Sequence, residues 1–191
     1  MITTPPLYAI WPNLNTPNLK FDAKGVYDVT VLLDPKEETH AAFIQSIEEM
    51  YEKAISDMAT EHKKPKIKRA DSPIRPVTDK EGNDLGTFKI KFKLTASGET
   101  KDGRKYERKP ALFGADGKPF TGVVGHNAKV RVAFKPTAFF AAALGAGLSL
   151  RLEAVQVLEA GGQRGFNDFG FTAAAEPEAP AAPTDMSDME F

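Results

Sequence analysis

Cysteine is absent from all 191 residues, which excludes disulfides, thiolate metal sites and cysteine nucleophiles and suits a reducing compartment. No apolar run approaches the roughly 18–20 residues of a membrane span, so no membrane association is expected. The opening Met1-Ile2-Thr3-Thr4-Pro5-Pro6 has neither the charged start nor the apolar stretch of a secretory signal. Histidine occurs only three times, at His40, His62 and His126, and none has a second ligand at metal spacing. Asp79, Glu81 and Asp84 resemble part of a calcium loop but lack its closing glutamate, so they read as a turn. There is no glycine-rich phosphate loop and no nucleophile elbow, and Gly161-Gly162-Gln163-Arg164-Gly165 reads as a flexible exit. These absences predict a protein that is not an enzyme and holds neither metal nor cofactor.

Positive charge is also missing from one end. No lysine or arginine follows Arg164, whereas six of the 26 acids do, namely Asp168, Glu176, Glu178, Asp185, Asp188 and Glu190. The body before them therefore carries a surplus of five positive charges, which the formal net charge of −1 conceals. A basic body with an acidic tail suits a protein that holds a polyanion and also contacts partners. The tail's acids gather toward its tip, where Met186, Met189 and the terminal Phe191 add apolar surface. Residues 161–191, rich in glycine, alanine, proline and acids, are expected to be a flexible, disordered tail on a domain formed by residues 1–160.

Within the body, residues 7–11 suggest a short strand, and Val26 to Leu33 is β-branched and aromatic enough to be another. Asp34-Pro35-Lys36-Glu37 reads as a capping box. From there to about His62, Phe43, Ile47, Met50, Ala54 and Met58 recur at helical spacing and predict one long amphipathic helix facing the core. Strict alternation over residues 87–94 and again over 129–135 predicts two strands, and residues 147–158 a last long one. Asp102-Gly103 and Asp116-Gly117 are hairpin-type turns flanking a strand at about 109–113. Strands interrupted by one helix predict a mainly β fold, a small barrel with a helical insertion.

Alternation over residues 87–94 sends Phe88, Ile90, Phe92 and Leu94 inward and Lys89, Lys91 and Lys93 outward, about 6.5–7 Å apart along the strand. That suits the backbone of an extended nucleic-acid strand, although lysines also protect solvated edges. Lys129, Arg131 and Lys135 repeat the arrangement, and Arg104, Lys105 and Tyr106 fall in a basic hairpin between the two strands. Unpaired bases seek flat apolar partners as well as charge. Phe139-Phe140, read as a loop after Pro136, is the best such pair, unless it merely closes one end of the barrel. Trp11 and Tyr106 come next.

Several of these segments resemble the single-stranded-DNA-binding proteins of short-tailed phages, the type encoded by T-odd coliphages. Lys24-Gly25-Val26-Tyr27-Asp28-Val29 is similar to that family's basic-Gly-Val-Tyr strand opening, and residues 87–93 resemble its lysine-alternating strand. Residues 129–132, with an aromatic segment and Leu144-Gly145-Ala146-Gly147 behind them, resemble its late barrel strand and turn, and residues 150–155 its final strand. The resemblance implies a five-stranded OB-fold barrel that coats single-stranded DNA during phage replication, recombination and repair in the host cytoplasm. It implies a homodimer whose tail, through Asp185, Asp188, Glu190 and Phe191, contacts the replicative polymerase and the helicase–primase. By position it marks Lys24, Lys89, Lys91, Arg131 and either Phe139 or Phe140 as binding-face residues. The tail is shorter and less acidic than the family's usual one. An RNA-binding OB module, a protein-binding adaptor and a metal-dependent nuclease are the alternatives.

Overall fold

The computed structural model of the chain describes residues 1–162 apart from 21, 64–65 and 101. In chain order the elements are β1 (Ile2–Thr3), β2 (Leu7–Asn18), β3 (Val26–Leu33), α1 (Glu38–Glu61), β4 (Ile74–Thr78), β5 (Asp84–Thr95), β6 (Ser97–Glu99), β7 (Lys105–Glu107), β8 (Ala111–Gly114), β9 (Lys129–Ala141) and β10 (Gly145–Glu159). Strands β2, β3, β5, β10 and β9 pair in that order, and β9 pairs β2 again through Leu7↔Val130 and Tyr8↔Lys129, which closes a five-stranded ring. Every joint of the ring is antiparallel except β10 on β5, which run parallel at Arg151↔Lys93. This is the OB barrel, with α1 inserted between its second and third strands.

Period-two alternation fills the interior. Val29, Val31, Ile90, Phe92, Val130, Val132, Phe134, Leu152 and Val155 are almost wholly buried. Phe134 anchors the centre, with the Phe92 ring 4.9 Å away and the Phe43 ring edge-on at 6.1 Å. The helix closes the barrel with Phe43, Ile47, Tyr51, Ala54 and Ile55, mainly against β9 and β10. Truncating Phe92 or Phe134 to alanine would cost about 3–5 kcal/mol.

Four local expectations change. The helix starts at Glu38, with Glu37 in the cap position and no side-chain cap. Asp34 instead closes a turn of its own, its carboxylate accepting from Lys36 N–H at 2.9 Å and its carbonyl from Glu37 N–H at 3.0 Å. Strand β2 runs on to Asn18 through Pro12 and Pro17, with a bulge between Ile10 and Asn13. Strand β9 continues through Pro136 to Ala141, so Phe139 and Phe140 lie in a strand and not in a loop. Unanticipated, β4 doubles the first half of β5. The acids at 79–84 do form a turn. Asp79 accepts hydrogen bonds from the Asn83 side chain and from the N–H groups of Asn83 and Glu81, which hold its carboxyl below the usual carboxylate range.

Candidate nucleic-acid interface

Strand β5 lays Lys89, Lys91 and Lys93 on the outer wall while Ile90, Phe92 and Leu94 face the core. Beside them lies an open groove of about 600 Å³. Its other walls come from the segment after α1, with Lys68, Arg69, Asp71 and Ser72, from Arg75 on β4, and from Phe139 and Leu144 at the β9–β10 turn. Thr30 of β3 and Ser149 of β10 contribute hydroxyls. Six cationic side chains thus converge from three stretches of chain.

The wall holding Lys68 and Arg69 is docked by backbone. Ala146 N–H donates to the Lys68 carbonyl at 2.8 Å, and Ala70 N–H donates to the Ala146 carbonyl at 2.7 Å. The approach depends on Gly145, whose φ of 101° lies in the left-handed region and whose hypothetical Cβ would run into the Lys68 carbonyl. The Tyr51 hydroxyl reaches up from α1 to donate to the Ala70 carbonyl, and the Lys68 ammonium donates to the Ala143 carbonyl.

Charge in the groove is partly compensated. Lys91 pairs with Asp28, a buried carboxylate on β3 that also accepts from the Asn13 amide at 2.6 Å. Arg69 pairs with Glu52 of α1, and its hydrogen bonds to the Glu52 carboxylate first and the Tyr51 oxygen next raise its pKa further. Arg75 lies 3.2 Å from Asp71. Lys89 and Lys93 have no ion-pair partner among the described residues. Four cations, Lys68, Lys89, Lys91 and Lys93, therefore keep an ammonium in or beside the groove, one of them already carrying a counter-charge.

The phenylalanine pair separates cleanly. Phe139 lines the groove, whereas Phe140, one residue on and on the opposite strand face, packs against the core with its ring tilted against His62, centroids 4.3 Å apart. Lys135 reaches the same wall from β9, cross-strand from Arg151, which is itself cross-strand from Lys93. Arg131 is exposed opposite Gln156, outside the groove. Lys24 sits at the far end of β5, its carbonyl accepting from the N–H and hydroxyl of Ser97. Arg104, Lys105 and Tyr106 occupy the β6–β7 hairpin that continues from β5, where Arg108 covers the Tyr106 ring at 4.2 Å. That cover and the fold of Tyr106 over Gly98 leave this ring only partly exposed. Trp11 and Lys129 also lie outside the groove, Trp11 against His126 and Lys129 opposite Tyr8 at the β2–β9 joint with its ammonium 3.8 Å from Glu159. The tail residues Asp185, Asp188, Glu190 and Phe191 fall outside the described residues.

Sequence reasoning missed Lys68, Arg69, Arg75 and Leu144. The basic run of residues 62–69 was the available signal for the first two; nothing local marks the others. Among the described residues no group of His, Asp and Glu is placed to hold a metal ion, and no helix is long and apolar enough to cross a membrane.

A family model described as the single-stranded DNA-binding protein of bacteriophage T7 matches residues 3–160. The chain belongs to that family. The fold agrees: the crystal structure of gp2.5, a single-stranded DNA binding protein encoded by bacteriophage T7, superposes with a TM-score of 0.69 at 22% identity, over 85% of this chain and 93% of that one. The single-stranded DNA-binding protein of bacteriophage Enc34 gives a TM-score of 0.57 at 17% identity, over 97% of this chain and 87% of that one. The same Enc34 protein in complex with ssDNA gives 0.59 at 16% identity, over 82% and 85%. Among curated proteins no sequence matches significantly. The family is defined by binding, not catalysis, and its OB barrel explains why the groove lies where it does. OB folds hold oligonucleotides on the face of their second and third strands, here β3 and β5, flanked by the turn between their last two strands, here β9 and β10.

Proposed function

We propose that this protein binds single-stranded DNA without reading base sequence, with phosphates along Lys89, Lys91, Lys93 and Lys68 and a base stacked on Phe139. The observation that carries this reading is the groove itself: cations from three stretches of chain and one flat ring on the face that OB barrels use, in a member of a single-stranded-DNA-binding family. The Enc34 relative, of the same fold, has been solved with ssDNA, which supports the same ligand here. No rigid array of side chains stands ready to read base edges, so sequence preference is not expected. Arg75 and Arg69 add charge at the rim, and the exposed Lys24, Arg104, Lys105, Arg131 and Lys135 extend the positive surface.

In this reading the protein acts without catalysis. It coats and protects strands exposed during phage replication and recombination in the host cytoplasm, as a homodimer, through a domain of residues 1–160. Residues 161–191 recruit the replicative polymerase and helicase–primase by their acids and Phe191. The charge asymmetry between body and tail supports this division of labour.

Fluorescence anisotropy with labelled dT, dA and dC oligomers and a matched rU oligomer tests the reading. Similar affinities for the three DNAs, weaker binding of rU, and a loss of at least about tenfold in K89E/K93E are expected. Equal or tighter binding of rU would favour an RNA module. Binding indifferent to the double charge reversal would remove the groove and favour a protein-binding adaptor.

A further inference from the structure

A second aromatic site lies further round the outside of the same barrel, at the β2–β9 joint. Arg75 of β4 pairs with Lys89 of β5, Lys89 with Leu32 of β3, Leu32 with Tyr8 of β2, and Tyr8 with Lys129 of β9. Successive partners project from the same side of the sheet, so these five side chains form one row across five strands. At ~4.8 Å per strand the row spans about 19 Å. It starts at the groove and ends at a shelf of rings.

That shelf is built by the bulge in β2. Pairing steps from Ile10↔Thr30 to Asn13↔Asp28, three residues on β2 against two on β3. Without the extra residue, the alternation that buries Leu7 and Ala9 would bury Trp11 as well. Instead Trp11 adopts φ 50°, unfavourable for a bulky residue, and its side chain turns out to 76% exposure. The indole stacks on His126, with ring centroids 4.6 Å apart and planes at 28°. His126 Nδ1 is buried without a hydrogen-bond partner among the described residues. Tyr8 is half-exposed, and the Lys129 ammonium lies 5.9 Å from its ring. Backbone strain, an unpaired buried nitrogen and two outward rings serve no purpose for the core. Strain of this kind concentrates where a side chain is held ready for a ligand.

We propose that this shelf is a second base-stacking site for single-stranded DNA. The strand leaves the groove at Arg75 and Lys89 and crosses β3, one base stacking on Tyr8 and one on the open face of Trp11. His126 braces the indole from behind, and Lys129, whose ammonium lies 3.8 Å from the exposed Glu159 carboxylate, exchanges that partner for a phosphate. The proposal rests on the single-strand binding argued above and extends its path. Its length is in keeping with the roughly 4–16 nucleotides that an OB fold holds.

Trp11 is the chain's sole tryptophan, so its emission reports on the shelf alone. The full-length protein is titrated with unlabelled dT of about 20 nucleotides, following tryptophan emission and acrylamide quenching. A parallel titration follows the anisotropy of the labelled oligomer. Emission should change and Trp11 should become shielded from acrylamide at the same stoichiometry at which anisotropy saturates. Iodouracil-substituted oligomer should photocrosslink to Tyr8 or Trp11, and W11A should weaken binding about tenfold with an unchanged melting temperature. Full anisotropy with unaltered emission and acrylamide access would overturn the shelf and leave the groove standing. So would an emission change with crosslinks confined to the groove. Shielding that depends on protein concentration without DNA would assign the shelf to a second copy of the chain and likewise overturn the proposal. Absence of any anisotropy change would instead sink the underlying function.

Discussion

At the scale of single residues, the three β5 lysines look equivalent in sequence but are not equivalent in structure. Lys89 and Lys93 carry no counter-charge among the described residues, while Lys91 neutralises the buried Asp28. Replacing Lys91 with alanine leaves a buried carboxylate with only Asn13 as partner among the described residues, so K91A should lose stability by about 1–2 kcal/mol as well as DNA affinity. K89A should lose affinity with a stability change within about 0.5 kcal/mol. Urea melts beside anisotropy would separate the two. The phenylalanines divide in the same way. F139A should weaken DNA binding about tenfold and hardly move the melting temperature, whereas F140A should do the reverse. Equal effects of the two substitutions on affinity would contradict the assignment of Phe139 to the groove.

At the scale of elements, legibility follows how local the information is. The alternation of residues 87–94 identifies β5 and the outward side of its lysines, because period two is a property of the strand alone. The helix is legible from its apolar spacing, but its start is not, because Asp34 spends its side chain on the preceding turn. Pro136 reads as a strand end since it lacks an N–H. Yet β9 continues past it, held by β10 on to Ala141↔Gly145. That pairing, invisible in the local sequence, is what puts Phe139 and Phe140 on opposite faces. The groove's second wall is hidden for a similar reason. Lys68 and Arg69 join it only because Gly145 admits their backbone against β10. A methyl group at Gly145 should therefore open the groove: G145A is expected to lose more than about 1 kcal/mol of stability and severalfold in DNA affinity with every cation retained. Undiminished affinity in G145A would mean that this wall plays no part in binding.

At the scale of the whole molecule, a positive body and a negative tail share one chain. Tail and nucleic acid carry the same sign of charge, so a tail competing with DNA for the groove would compete less as salt screens it. A chain ending at Gly170 should bind oligo-dT more tightly than the full chain at low salt, with the difference closing as salt rises. Equal affinities throughout would remove the competition while leaving the barrel's own binding intact. The OB barrel and its family were legible from the order of four segments. The connection of groove, wall and Trp11 shelf was not, because it depends on cross-strand registers and on one bulge.

The central claim is that Lys89 and Lys93, on the outer wall of β5, hold the phosphates of a single strand. Counterion release measures this directly, since log affinity falls with log salt by about 0.7 per phosphate neutralised. Anisotropy of labelled oligo-dT across a salt series should give a slope for K89A/K93A that is shallower than that of the unaltered protein by about 1.4, two contacts' worth. A double variant with weakened affinity but an unchanged slope would contradict the account, because Lys89 and Lys93 would then not be touching phosphate.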